Sequence, residues 1–127
     1  MDGLTEMKPG RIELDGASLD LSYSGIVPIA ERDRVLEISN LFTPVQKRGN
    51  NLANSLMQEV CEQADQAEKL LMLMPEAFGQ GGLTTAQLAD WYIRKHGFIY
   101  LQHDPKVILI RLPRTVAQQW AAAHEHV

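Results

Sequence analysis

The segment QKRGNNLANSLMQEV, residues 46–60, begins as a basic turn that contains glycine and continues as an apolar repeat of helical spacing. One wide apolar face is formed by Leu52, Ala53, Leu56, Met57, Val60, Cys61 and Ala64. We therefore predict a helix over residues 50–66. The first N–H groups of such a helix have no partner within it, and the helix dipole adds partial positive charge at that end. This turn is either a helix cap or a site for an anion such as phosphate.

The residues of the turn allow both interpretations. Lys47 and Arg48 carry positive charges, and Gly49 lets the backbone come close to a ligand. Asn50 and Asn51 tolerate left-handed backbone conformations better than most residues do. In the simpler interpretation, Asn50 or Asn51 caps a core helix and the two cations are solvated.

Strands are predicted on both sides of this helix. Before it, Val35–Phe42 (VLEISNLF) forms a strand that leads into the loop. After it, residues 69–75 (KLLMLMP) form a short continuous apolar run, which suits a strand buried on both faces. Further strands are predicted over residues 11–14, 19–30, 98–102 and 106–112, with hairpin turns at Asp15-Gly16 and His103-Asp104-Pro105.

A second helix follows the buried strand. Thr84 and Gln87 have the spacing of a capping box, and Gly97 ends the helix. We interpret His96, in the last turn, as a cation favoured by the helix dipole. The whole order of elements predicts one α/β or α+β domain over residues 1–127, with a crossover in the middle of its sheet. Residues 1–10 are expected to be flexible, and residues 115–127 to add a final helix.

Composition excludes several classes of function. The chain has 127 residues, a net charge of -4 and a sequence pI near 5.5, so we expect no broad nucleic-acid surface. No run of residues approaches the length of a membrane span, and the first ten lack the apolar core of a signal peptide. A lone cysteine, Cys61, gives no internal disulfide and is expected to be inert core. We therefore expect a cytoplasmic protein without membrane contact. His124 and His126 are poor evidence for a metal, and no metal is predicted.

The stretch LFTPVQKRGNNLANSLM, residues 41–57, resembles motif A of the GNAT N-acetyltransferase superfamily. In that family a strand and a loop are followed by Arg/Gln-x-x-Gly-x-Gly/Ala at the start of a helix. Here Arg48 takes the first position of the motif and Ala53 takes the last. Asn51 departs from the pattern, since the family nearly always has glycine there. Its side chain could crowd a pyrophosphate or hydrogen-bond it.

A second motif strengthens the resemblance. Leu88-x-x-Trp91-Tyr92, followed by Gly97-Phe98, is similar to the family's Leu-x-x-Phe-Tyr-x-x-x-Gly-Phe, with one extra residue before the glycine. The resemblance covers roughly residues 18–113. It implies a mixed, mostly antiparallel sheet whose central pair of strands is parallel and flanked by helices. The chain would be a minimal member, because no pair of helices is evident between its first strands.

The resemblance also implies a chemistry. Acetyl-coenzyme A would lie between the two parallel strands and transfer its acetyl group to an attacking amine. Tyr92 occupies the motif position of the acid that protonates the departing thiolate, and Glu37 is our candidate base, although a strand glutamate is more often simply exposed to solvent. The residues expected to bind the cofactor are Leu41, Phe42, Thr43, Arg48, Gly49, Asn50, Asn51, Leu52 and Ala53.

A second hypothesis is a protein that keeps this fold without turnover and binds a partner protein. Asn51, the short N-terminal region and the lack of an evident base favour it. Trp120 in the final predicted helix adds apolar surface that could form a homodimer. On the enzyme hypothesis, the acceptor is an amine of a small molecule or of a protein, and its identity depends on loops that the sequence does not place.

Overall fold

The computed structural model describes residues 7–43, 51–75 and 84–116. Its elements are β1 (Gly10–Leu14), β2 (Ala17–Tyr23), β3 (Val35–Phe42), α1 (Leu52–Ala67), β4 (Leu70–Leu73), α2 (Thr85–His96), β5 (Ile99–Gln102) and β6 (Ile108–Arg111). A 3-10 helix, Ile29–Arg34, precedes β3. In these ranges no helix combines the length and the apolar character needed to cross a membrane.

The strands form one six-stranded sheet in the order β1-β2-β3-β4-β6-β5. All neighbours pair antiparallel except β3 and β4, which are parallel. Parallel strands need a long crossover connection, and α1 lies within the one between β3 and β4. The fold class expected from the sequence, a mostly antiparallel sheet with a central parallel pair and helices, is therefore confirmed.

Both helices pack on one face of the sheet. The core between them and the strands consists mainly of Ala17, Leu19, Leu21, Leu36, Ile38, Leu56, Met57, Val60, Ala64, Leu71, Leu73, Ala89, Tyr92, Phe98 and Leu109. Alternation along the strands sends every second side chain to this core and the others to the opposite face. The apolar face predicted for α1 is thus the face that the helix buries.

Several boundaries differ from the sequence prediction. The strand predicted over residues 19–30 ends at Tyr23, because the Ser24 hydroxyl accepts a hydrogen bond from the N–H of Ile26 (3.3 Å) and Pro28 then precedes the 3-10 helix. Part of the first ten residues packs against the sheet, since Met7 is buried and Gly10 pairs with Leu21. Residues 114–116 are helical, and the rest of the predicted final helix lies outside the described residues.

One end of the sheet is held by an ion pair between α1 and β6. Arg111 donates two hydrogen bonds to the carboxylate of Asp65 (2.9 and 3.1 Å) and a third to the carbonyl of His96 at the end of α2 (2.8 Å). The backbone N–H of Arg114 also donates to Asp65 (2.8 Å). A single guanidinium thus joins both helices to the sheet.

Candidate functional site

The parallel strands β3 and β4 are paired over only part of their length. Their register runs from Val35 opposite Leu70 to Ile38 opposite Leu73, whereas β3 continues to Phe42. A cleft of about 240 Å³ opens where this pairing ends. It is lined by Glu37, Ile38, Ser39, Asn40, Leu41, Leu73, Met74, Pro75, Leu88 and Tyr92.

A β-bulge shapes the β3 side of the cleft. Ser39 is opposite Asp20 and Phe42 is opposite Ser18, so β3 carries one residue more than β2 between these pairs. Asn40, in the bulge, has a φ of 55°, which asparagine tolerates better than most residues do. A bulge leaves its extra residue outside the ladder and bends the strand. The bulge therefore lies at the point where β3 continues beyond its pairing with β4.

Tyr92 lines the cleft from α2. Its ring is 7% exposed and packs edge-on against Trp91 and Phe98, with ring centroids 5.0 and 5.7 Å apart. No hydrogen bond joins its hydroxyl to another residue of the described ranges. Burial raises the pKa of Tyr92 to about 12, so the phenol is protonated at neutral pH.

The start and end of α2 are both determined by local residues. The Thr84 hydroxyl accepts a hydrogen bond from the N–H of Gln87 (3.1 Å), and the Gln87 side chain accepts one from the N–H of Thr84 (2.8 Å). Gly97 ends the helix with a φ of 76°. The predicted capping box and helix end are confirmed, and together they fix the place of Tyr92 along the helix.

Glu37 reaches the same cleft from the opposite face of the sheet. Its neighbours Leu36 and Ile38 are buried in the core beneath the helices, so alternation places Glu37 on the other side. Glu37 is half-buried. Glu37 and Tyr92 both line the cleft, although they belong to a strand and to the helix packed against the sheet. The two residues predicted for catalysis therefore border one space.

The residues predicted to bind a cofactor lie in two groups. Leu41 lines the cleft, and Phe42 and Thr43 follow it where β3 has no partner in β4. Asn51, Leu52 and Ala53 lie at the start of α1. The predicted residues Arg48, Gly49 and Asn50 lie outside the described residues.

Asn51 holds the position immediately before α1 in a left-handed conformation, with φ 62° and ψ 25°. Its carbonyl accepts a hydrogen bond from the N–H of Ser55 (3.1 Å), but its side chain makes no capping hydrogen bond. Glycine and asparagine are the residues that adopt this conformation at least cost. The backbone conformation thus accounts for an asparagine in place of the family's glycine, and it leaves the side-chain amide uncommitted to the cap.

Sequence reasoning missed part of the site. Asn40 and its partner Asp20 received no role, although an asparagine inside an otherwise apolar strand (ISNLF) is a signal for a bulge at positive φ. The interpretation of His96 as a favourable cation is wrong. Its side chain is 6% exposed, and burial, with the nearby Arg111, lowers its pKa to about 4. His96 is therefore neutral at physiological pH, and within the described ranges its Nε2 has no hydrogen-bond partner.

Cys61 is buried as expected, and burial raises the pKa of its thiol to about 11. A thiol with this pKa carries little thiolate at neutral pH, which fits an inert core residue. Among the described residues, no group of three or more His, Cys, Asp or Glu side chains is placed to bind a metal ion. His124 and His126 lie outside those residues.

Comparison with known proteins supports the fold. Neither a family profile nor a curated protein matches the sequence. The crystal structure of the anti-CRISPR protein AcrVA5 superposes with a TM-score of 0.56, covering 81% of this chain and 98% of that one at 17% sequence identity. A likeness at this identity concerns the fold alone, and the mixed sheet with one parallel pair is consistent with a GNAT-like fold.

Proposed function

We propose that the chain is an acetyl-coenzyme A-dependent N-acetyltransferase in which the acceptor amine attacks the acetyl group directly. One observation carries this proposal. The cleft between β3 and β4 is bordered by Tyr92, to which the motif assigned the role of acid, and by Glu37, the base chosen for its place on β3. Glu37 and Tyr92 are 55 residues apart in the sequence, yet both border this cleft.

The two predicted binding regions suit different parts of acetyl-coenzyme A. Leu41, Phe42 and Thr43 follow the point where the pairing of β3 with β4 ends, so the pantetheine amides could approach the backbone there in place of a neighbouring strand. The pyrophosphate would lie at the start of α1, where the first N–H groups and the helix dipole favour an anion. The side-chain amide of Asn51, which makes no capping hydrogen bond to α1, could donate a hydrogen bond to the pyrophosphate.

When bound, acetyl-coenzyme A supplies the thioester from which the acetyl group passes to nitrogen. Glu37 accepts the proton that the acceptor ammonium must lose before it can attack. Tyr92 donates a hydrogen bond to the sulfur as the carbon–sulfur bond breaks. With a pKa of about 12, the phenol is a weaker acid than a thiol, whose usual pKa is about 8.5. Stabilisation of the thiolate by this hydrogen bond is therefore more favourable than complete proton transfer.

The acceptor is an amine of a small molecule or of a protein. The charged residues around the cleft do not distinguish a small-molecule amine from a protein amine, since Glu37 suits any cationic amine. AcrVA5, which has a similar fold, is named an anti-CRISPR protein, so proteins of CRISPR systems should be among the acceptors tested. An acceptor screen would therefore contain small amines, peptides with free N-termini and a CRISPR effector protein.

The second candidate function is a partner-binding protein without turnover. The observation that favours it is the edge strand β5, where Ile99, Tyr100 and Leu101 are 50%, 41% and 53% exposed. An exposed apolar strand at the edge of a sheet can pair with another chain. The same edge could join two copies of this chain, in line with the predicted homodimer.

A thermal-shift titration with acetyl-coenzyme A separates the two functions, and free adenosine is its control. A ligand that binds only the folded state, at 100 times its dissociation constant, adds about 2.7 kcal/mol to the free energy of unfolding. The enzyme hypothesis predicts a clear rise of the melting temperature with acetyl-coenzyme A and none with adenosine. No shift at millimolar acetyl-coenzyme A would contradict it and favour a search for a protein partner.

A further inference from the structure

Three polar side chains form a continuous ladder across β1, β2 and β3 on the face of the sheet opposite the helices. Arg11 on β1 donates from Nε to Oδ1 of Asp20 (2.9 Å), the residue directly opposite it on β2. Asn40 donates from Nδ2 to Oδ2 of the same carboxylate (2.8 Å). Asp20 thus connects the edge strand to the bulge of β3, and we name these three residues the polar ladder.

The polar ladder ends at Asn40, whose bulge shapes the β3 side of the cleft. Asn40 lines the cleft, carries the positive φ of the bulge and immediately precedes Leu41. Asparagine tolerates this conformation better than most residues do, but contacts with its surroundings still stabilise it. The hydrogen bond from Asn40 to Asp20 is the side-chain contact that holds it.

We propose that Asp20 is a positioning residue for the cofactor cleft. It does not border the cleft itself. It holds Asn40 in the left-handed conformation and so fixes the direction of the backbone of residues 41–43, which follows the point where β3 stops pairing with β4. Its role in catalysis rests on the proposed function, because these residues are the ones assigned to the pantetheine of acetyl-coenzyme A.

The charge of Asp20 supports this role. Hydrogen bonds from Arg11 and Asn40 hold the pKa of its carboxyl below the usual value, so Asp20 is an anion at neutral pH. A carboxylate can accept from both neighbours at once, as it does here. Because Arg11 and Asn40 are exposed, their contacts with Asp20 contribute little to stability. Loss of the ladder should therefore alter the geometry of the cleft more than the melting temperature.

The test compares Asp20→Ala with Asp90→Ala. Asp90 forms an exposed ion pair with Arg94 (2.7 Å) on α2 and does not line the cleft, so its loss controls for the removal of any surface Asp–Arg pair. We expect Asp20→Ala to raise the KM for acetyl-coenzyme A by about threefold to tenfold, below the roughly 100-fold cost of a 1 Å misplacement at a reacting centre. Asp90→Ala should leave the KM unchanged. Asp20→Asn retains an acceptor for Asn40 and should restore most of the affinity.

A second measurement tests the polar ladder without any ligand. Amide hydrogen exchange of residues 40–43 should accelerate in Asp20→Ala and stay at the wild-type rate in Asp90→Ala, since only the first releases the bulge. If neither exchange nor KM differs between the two variants, Asp20 has no positioning role. If the wild-type protein fails to bind acetyl-coenzyme A, the proposed function is wrong, while faster exchange in Asp20→Ala would still show that Asp20 holds the bulge.

Discussion

The paired central strands β3 and β4 have a closed end, where the pairing begins at Val35 and Leu70, and an open end, where it stops at Ile38 and Leu73 beside the cleft. An Arg–Asp pair lies near each end, but the two pairs differ in burial. At the closed end, the carboxylate of Asp65 is 6% exposed and the side chain of Arg111 is 18% exposed. At the open end, Arg11 and Asp20 also form an Arg–Asp pair, but these side chains are 59% and 26% exposed. The buried pair joins two helices to the sheet, whereas the exposed pair leads to a strand that continues beyond its neighbour.

The difference in burial between the two ion pairs separates a rigid part of the fold from a part that can accept a ligand. A buried, fully hydrogen-bonded ion pair is costly to break, because either partner alone would be left charged and desolvated. An exposed pair costs little to break and can direct a backbone without locking the core. The closed end therefore provides stability, and at the open end β3 continues beyond its pairing with β4 and borders the cleft.

The largest effect is expected when the closed end is broken. Asp65→Ala removes the acceptor of two bonds from Arg111 and of one from the Arg114 backbone. Since it leaves a largely buried guanidinium unpaired, we expect a loss of about 3–5 kcal/mol in the free energy of unfolding. Urea unfolding followed by circular dichroism measures it. Asp90→Ala, at an exposed pair, should lose less than about 1 kcal/mol, and equal losses would refute the distinction between buried and exposed pairs.

The open end is tested by Tyr92→Phe. This change removes only the hydroxyl, so the shift of melting temperature with acetyl-coenzyme A should be retained. The rate of acetyl transfer should fall by about a hundredfold, as for the loss of one hydrogen-bond donor to the charge that develops in the transition state. Release of free thiol, followed with a chromogenic disulfide, measures the rate.

Tyr100→Phe is the matched control for this experiment. Tyr100 is 41% exposed on β5, where its ring stacks on His103 at 4.1 Å between centroids, and it does not line the cleft. We expect wild-type transfer in this variant. An undiminished rate in Tyr92→Phe would remove Tyr92 from the mechanism, even if the cofactor still binds.

Much of the fold could be predicted because its determinants are local. Three local signals act over a few residues each: the four-residue apolar repeat of α1, the Thr84 capping box and Gly97. The helix or helix boundary predicted from each is confirmed. The bounds of β3 also match the prediction, since VLEISNLF is an uninterrupted run between a charged turn and a proline-containing loop. The second strand was predicted too long because the turn after Tyr23 depends on a single hydroxyl hydrogen bond.

The site could be predicted only in part, because its shape depends on pairing between strands. Tyr92 and Glu37 were found through a motif and a strand position, and the structure brings both to the cleft. Asn40 within ISNLF is a sequence signal for a bulge, but the pairs that border the bulge depend on the register between β2 and β3 and could not be predicted. The burial of His96 was missed for a similar reason: its surroundings include Trp91 of its own helix and Arg111 of β6.

Acid should weaken the closed end first. The pKa of His96 is about 4 in the folded state and about 6.5 when exposed in the unfolded state, so the unfolded state binds more protons between these values. Stability is therefore full above pH 6.5 and falls as the pH is lowered toward 4, by about 2–3 kcal/mol. Asp65, whose pKa is lowered by Arg111 and Arg114 despite its burial, loses its contribution only at still lower pH.

His96→Leu checks this assignment. Leucine fills a similar volume without a titrating group, so the free energy of unfolding should change much less between pH 7 and pH 4 than in the wild-type protein. Urea unfolding at several pH values provides the measurement. An unchanged pH dependence in the variant would assign the acid sensitivity to another group.

The smallest effect is expected at Asn51, at the start of α1. Glycine adopts its φ of 62° freely, so Asn51→Gly should retain the fold, whereas Asn51→Ala should lose about 1–2 kcal/mol through backbone strain. Because the side-chain amide makes no capping hydrogen bond, we expect it to bind the pyrophosphate, and Asn51→Gly should weaken acetyl-coenzyme A binding by about 0.5–1.5 kcal/mol. Isothermal titration calorimetry measures the affinity. Tighter binding in Asn51→Gly would show instead that the asparagine side chain crowds the phosphates. The wild-type chain would then have a cofactor site that Asn51 weakens.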